Sequence, residues 1–83
     1  SLLHVDGHTD DVPVKRADSV KRFTDNWGLS ANRACAVVRA LTQGGMQGDR
    51  IHARAFSKFR PKAPGTTEAA RSQNRRVEIT LSK

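Results

Sequence analysis

An α+β sandwich, with helices packed on a sheet, is the fold class the sequence predicts, and three observations predict it. Stretches near both ends alternate apolar and polar residues, as half-buried strands do. A central stretch, "LSANRACAVVRALTQGG", repeats its apolar residues at helical spacing. The resulting order of strand, loop, helix, strand, short helix, strand needs a sheet to cover the apolar side of each helix. Eighty-three residues make one small domain with a thin core, so residues 1–83 are read as a single domain. Because Ser1 already stands against a strand-like segment, the chain is expected to be an N-terminally truncated piece of a longer protein.

The elements follow in order. In "LLHVDG", Leu3 and Val5 point one way and His4 and Asp6 the other, which predicts a half-buried strand. Residues 10–28 hold Pro13, several charges and Gly28 without clean periodicity, so a long loop is expected, with a short helical turn at "ADSVKRF". Ser30 is the expected N-cap of the main helix. Ala34, Val37, Val38 and Leu41 form its apolar stripe, and Gly44-Gly45 stop it. "RIHARAF" alternates again, with Ile51, Ala53 and Ala55 opposite His52, Arg54 and Phe56. A proline-broken loop then leads into a short helix capped at Thr66 or Thr67, and "RRVEITLSK" sets Val77, Ile79 and Leu81 on one face of a last strand. There are no internal repeats and no low-complexity segments.

Composition narrows the function classes. No run of about 18 apolar residues offers a membrane span. Net charge is +7, and five of the eight acids (Asp6, Asp10, Asp11, Asp18 and Asp25) precede residue 30, which leaves the second half basic. Such a half attracts anions: nucleic acid, anionic lipid or an acidic polymer. Cys35 is the single cysteine, so neither an internal disulfide nor a cysteine zinc cluster can form. A small core residue on a helix is the role expected of it.

His4, Asp6 and His8 share one face of a strand, the spacing a metal-dependent enzyme would need. Neighbours on that face, however, lie almost ~7 Å apart, too far for one ion without help from another segment. A polar outer strand face is the simpler reading, and no metal is expected. Asp10 and Asp11 are adjacent on an extended chain and point apart, and Ser30 has no histidine and acid partner, so no catalytic constellation is present. Lys58, Arg60, Lys62, Arg71, Arg75 and Arg76 could neutralise phosphates. Against nucleic acid stand the early acids and the lack of an evident stacking platform among Phe23, Trp27, Phe56 and Phe59.

Three ordered motifs are more specific. "GHTDD" (Gly7 to Asp11), "NWGLSANRACAVVRAL" (Asn26 to Leu41) and "RSQNRRVEI" (Arg71 to Ile79) resemble the OmpA-like peptidoglycan-binding domain, shared by OmpA-type porins, peptidoglycan-associated lipoproteins and the stator protein MotB. The family pattern is GHTD, LSxxRAxxV and RxxNRRVEI in that order, and "FRP" (Phe59 to Pro61) resembles its segment before the last helix. The spacing of about 18 residues between Asp11 and Leu29, with "DDVPV" and "NWGLS", is nearer to the MotB-like branch. The resemblance implies an OmpA-like βαβαβ sandwich with helices on a mixed sheet, from which the family's N-terminal strand and helix are missing here. Where the family has a glycine-rich "GyGe" segment, this chain reads "AFSK" (Ala55 to Lys58), with Ala55 and Ser57 at the small, flexible positions and Lys58 reversing a frequent acid.

The resemblance also implies the site. Asp10 matches the family's acid for the ammonium of diaminopimelate in the peptidoglycan stem peptide, and Arg33 matches its arginine for the carboxylate. A zwitterion does need one fixed charge of each sign, and a guanidinium fork can grip a carboxylate twice. Arg33 is expected in the first turn of a helix capped by Ser30, where free N–H groups favour an anion. Thr9, Leu29 and Asn74 are expected to line the pocket, and Arg71 and Arg75 to flank it. Arg76, Val77 and Glu78 belong to the strand, and Trp27 is expected to cover the helix entrance rather than stack on a sugar. The expected function is non-catalytic peptidoglycan binding that anchors an envelope or flagellar-stator-like protein, without cofactor, metal or nucleic acid. The setting is the periplasm or cell envelope, with a membrane-associated parent and avidity from many wall sites and from homodimer formation. The alternative is a basic nucleic-acid or anionic-polymer binding module.

Overall fold

A computed structural model describes residues 1–82. Strand β1 (Leu2–His8) is followed by helices α1 (Ala17–Phe23) and α2 (Asn26–Gln43), strand β2 (Ile51–Ala55), helix α3 (Glu68–Asn74) and strand β3 (Arg76–Ser82). The three strands form one sheet in the order β2-β1-β3. β1 runs parallel to β2 and antiparallel to β3, so the sheet is mixed as expected. A parallel pair needs a long crossover, and α1 and α2 supply it.

Alternation along β1 decides what each side of the sheet meets. Leu3, Val5 and Gly7 face α2. Val5, Ala34 and Ile51 form the buried centre, with Leu3, Val37, Val38, Leu41, Met46 and Val77 packed around it. Gly7 is required by this packing: a Cβ there would stand 2.0 Å from the Ser30 carbonyl oxygen and 3.3 Å from the Ala34 methyl. Helix and strand thus meet backbone to backbone at the end of the sheet where the site lies. Gly28 plays the same part between helices, since a Cβ would stand 1.8 Å from the Phe23 carbonyl oxygen.

Three expectations need correction. The N-cap of α2 is Asp25, whose carboxylate accepts the Gly28 N–H at 3.0 Å. Asp caps as well as Ser does, and the helix begins at Asn26, ahead of its apolar stripe. Ser30 is instead fully buried within α2, donating to the Trp27 carbonyl and accepting the Ser57 N–H at 3.1 Å. Within residues 10–28, "ADSVKRF" forms the short helix α1 as expected, but residues 26–28 belong to α2 and not to the loop. On β3, Val77 reaches the core, but Ile79 and Leu81 are 51% and 64% exposed, since α2 lies over β1 and β2.

Candidate functional site

The site forms where the strands end and their alternation stops. Just beyond β1, Thr9 is buried, its N–H donating to the Ser57 carbonyl at 2.9 Å and its hydroxyl to the Asp10 carbonyl. This ties the end of β1 to the end of β2. Ser57 has φ of 54°, the left-handed region that glycine occupies at little cost. The chain makes this bend with a serine.

Asp10 is held in one pose. One carboxylate oxygen accepts the Val12 N–H at 3.0 Å and the other accepts from Arg75 at 2.8 Å, with the side chain 12% exposed. Asn26 braces the loop from the start of α2, donating to the Val12 carbonyl at 3.1 Å and more distantly to the Asp10 carbonyl. Its buried Oδ1 has no partner.

Across a cleft of about 470 Å³ stands Arg33. It is the eighth residue of α2, not part of the first turn, so the helix-terminus argument for an anion beside it does not apply. Long helical side chains lean toward the N-terminus, and Arg33 does so, donating to the His8 carbonyl at 3.3 Å. Among the described residues it forms no ion pair. Leu29, Phe23, Val12 and Pro13 give the cleft an apolar wall, and Lys15 and Arg16 stand at its margin. An apolar wall between a fixed anion and an uncompensated cation suits an amphoteric ligand with an aliphatic middle.

The flanking arginines are already engaged. Arg71 grips Asp11 through two nitrogens, at 2.8 and 3.4 Å, and this holds the Asp11 carboxyl below its ordinary range. Arg75 bridges Asp10 and Glu68, pinning α3 against the loop. Asn74 lies on the far side of α3, where it clamps the backbone of Lys62 and Ala63. Of the residues expected at the site, the structure gathers Asp10, Leu29 and Arg33 around one cleft. It puts Thr9 beneath the cleft, Arg71 and Arg75 at its acidic edge, and Asn74 in the support behind.

Sequence reading overlooked Asn26, Phe23, Lys15 and Arg16. The last three join the site only because α1 folds the 10–28 segment back over α2. The one signal was the sequence "NWGLS", in which a polar residue directly follows a capping Asp. Trp27 differs from its expected role: it is 51% exposed and stacks on Phe59 rather than closing the helix entrance.

The histidines are spread over the other side of the sheet. His4 meets His52 on β2, and Asp6 forms a two-toothed ion pair with Arg54 at 2.6 and 2.8 Å. His8 is buried against the Phe56 ring, neither ring nitrogen having a partner, and burial pushes its pKa down.

The OmpA family model matches residues 1–75. This chain belongs to the OmpA family. Motility protein B of Bacillus subtilis is 32% identical over 78 residues, which are 93% of this chain and 28% of that protein. Peptidoglycan-binding protein ArfA of Mycobacterium tuberculosis is 35% identical over 71 residues, covering 77% of this chain and 22% of that protein. The crystal structure of the C-terminal domain of Helicobacter pylori MotB superimposes with a TM-score of 0.88 at 33% identity, over 99% of this chain and 59% of that one. The chain thus spans less than a third of the length of these two curated relatives. The likeness to MotB agrees with the spacing of the first two motifs.

Proposed function

We propose that this OmpA-family module binds peptidoglycan without catalysis, by seating the diaminopimelate of a stem peptide between Asp10 and Arg33, and so anchors an envelope protein on the periplasmic side. The single observation that carries this reading is the uncompensated Arg33 guanidinium, which shares an apolar-walled cleft with a rigid Asp10 carboxylate. The names of the relatives point the same way: one is a peptidoglycan-binding protein and another a motility protein. In the cleft, Asp10 takes the side-chain ammonium and Arg33 the carboxylate beside it. Lys15 and Arg16 can meet further carboxylates of the stem. The basic-polymer alternative is weakened because Arg71, Arg75 and Arg76 each pair with a carboxylate of this chain.

Each charge-assisted hydrogen bond contributes about 1.5–3 kcal/mol, so loss of either anchor should weaken binding at least tenfold. Isothermal titration with diaminopimelate-containing and lysine-containing tripeptides tests this. Binding of the first is expected, weaker for the second, and lost in Asp10→Ala and in Arg33→Ala. Undiminished binding by both variants would sink the assignment.

A further inference from the structure

Along β1 alone, the residues that share a face with His4 stand too far from it to hold one ion, but β2 brings a closer partner. His4 and His52 lie directly opposite each other in the parallel register of the two strands. Their rings are half-buried, with centroids 4.4 Å apart and planes 55° from parallel. Nδ1 of His4 meets Nε2 of His52, so a nitrogen from each strand converges on one point of the open sheet face. The charged groups next along this face are already paired. Asp6 holds Arg54 at 2.6 and 2.8 Å, and Glu78 holds Arg76. Thr80, opposite His4 on β3, is uncharged. Burial and the Arg54 charge keep the His4 pKa below its ordinary value, which favours the neutral imidazole that a metal requires.

We propose that His4 and His52 chelate a zinc-class divalent ion, bridging β1 and β2 on the side of the sheet opposite α2. Imidazole nitrogens suit zinc, nickel and copper, whereas magnesium and calcium take oxygen. Around a tetrahedral ion two nitrogens lie about 3.3 Å apart, as follows from bonds of about 2.0–2.1 Å. A small rotation of either ring opens that space, and the strands already fix both backbones. Among the described residues no group of three histidine, cysteine or carboxylate ligands converges, so water completes the shell. His8 takes no part, because it is buried against Phe56, and Asp6 is committed to Arg54. The two ligands are 48 positions apart, and a clip that closes a long loop stabilises a fold most. The ion therefore acts as a staple across the parallel pair. This inference is independent of the stem-peptide reading.

Zinc chloride titrated into the intact chain at neutral pH, in a buffer that does not bind metal, tests it. One-to-one binding is expected, on the order of 1–100 µM for half the ligands of a structural zinc site. Zinc at about ten times its Kd should raise the melting temperature by about 6 °C, and magnesium should not. His4→Gln and His52→Gln should each weaken zinc binding at least about tenfold, since losing even a ligand's outer partner costs that much. Their metal-free melting temperatures should stay within about 3 °C of the parent's. His52→Cys, which restores a ligand atom, should recover binding, and His8→Phe should leave it unchanged. A shared proton without any metal is the competing account, and no saturable binding up to about 1 mM zinc would establish it and overturn the inference. Affinity kept in both Gln variants would overturn it as well. So would its loss in His8→Phe, which would place the ligands along β1 instead.

Discussion

The two faces of β1 hold the domain by different physics, although their residues alternate along one seven-residue strand. Leu3, Val5 and Gly7 meet α2 through close packing, while His4, Asp6 and His8 meet neighbouring strands through rings and ion pairs. The packed face tolerates almost no added volume, whereas the polar face is sensitive to charge and protonation. Both faces serve the same end, because Asp10 follows directly from the strand they fix.

The packed face should break first. Gly7→Ala pushes a methyl into the Ser30 carbonyl, and overpacking against backbone costs about 3 kcal/mol. Thermal unfolding should then occur about 12 °C lower or more for a domain of this size. An unchanged melting temperature would show that α2 can slide away from β1.

The polar face should respond to pH. Burial holds the His8 pKa below the ordinary value near ~6.5, so the unfolded chain takes up its proton first as pH falls. The stability from neutral, buried His8 is complete above that pH and is lost progressively below it. Charge acts on His8 from Arg76 and Arg60, which lower its pKa further, and from Glu78 and Asp6, which oppose them. Replacing His8 with Phe keeps a flat ring against Phe56 and removes two unsatisfied nitrogens. Denaturant midpoints measured from pH 7 to pH 5 should fall less steeply for this variant. A smaller slope should remain from His4, also pushed down by burial and by Arg54. If the slope is unaltered, His8 is not the acid-sensitive group.

The smallest effect is expected where the packed face runs out. Ile79 shares a face with Val5 but is 51% exposed, so Ile79→Ser should change unfolding free energy by about 0.5 kcal/mol or less. A loss above about 1.5 kcal/mol would mean that Ile79 is covered in solution.

Much of this was legible from residues alone, and the misses have physical causes. The alternation of "LLHVDG" and of "RRVEITLSK" marked β1 and β3, because period-two alternation fits a strand and not a helix. At Ser30 the local sequence offers a good cap, but Asp25, five residues earlier, is an equally good one and starts the helix. Burial then gave the Ser30 hydroxyl a different task, bridging α2 to Ser57. Arg33 was picked through its motif, yet its reach to the end of β1 depends on the lean of a side chain in the third turn. Phe23, Lys15 and Arg16 were missed because α1 carries no strong period of its own and is held by α2.

By itself, then, the sequence determined the order of elements, the family motifs, and the residue types able to hold a zwitterion, since these depend on periodicity and on chemistry local to a few residues. The tertiary structure decided which charges remain available. Arg71 and Arg75 are spent on Asp11 and Asp10 while Arg33 keeps its charge unpaired, and Trp27 meets Phe59 across 32 positions of chain. Pairing of that kind is set by distances between elements, which no local pattern of residues records.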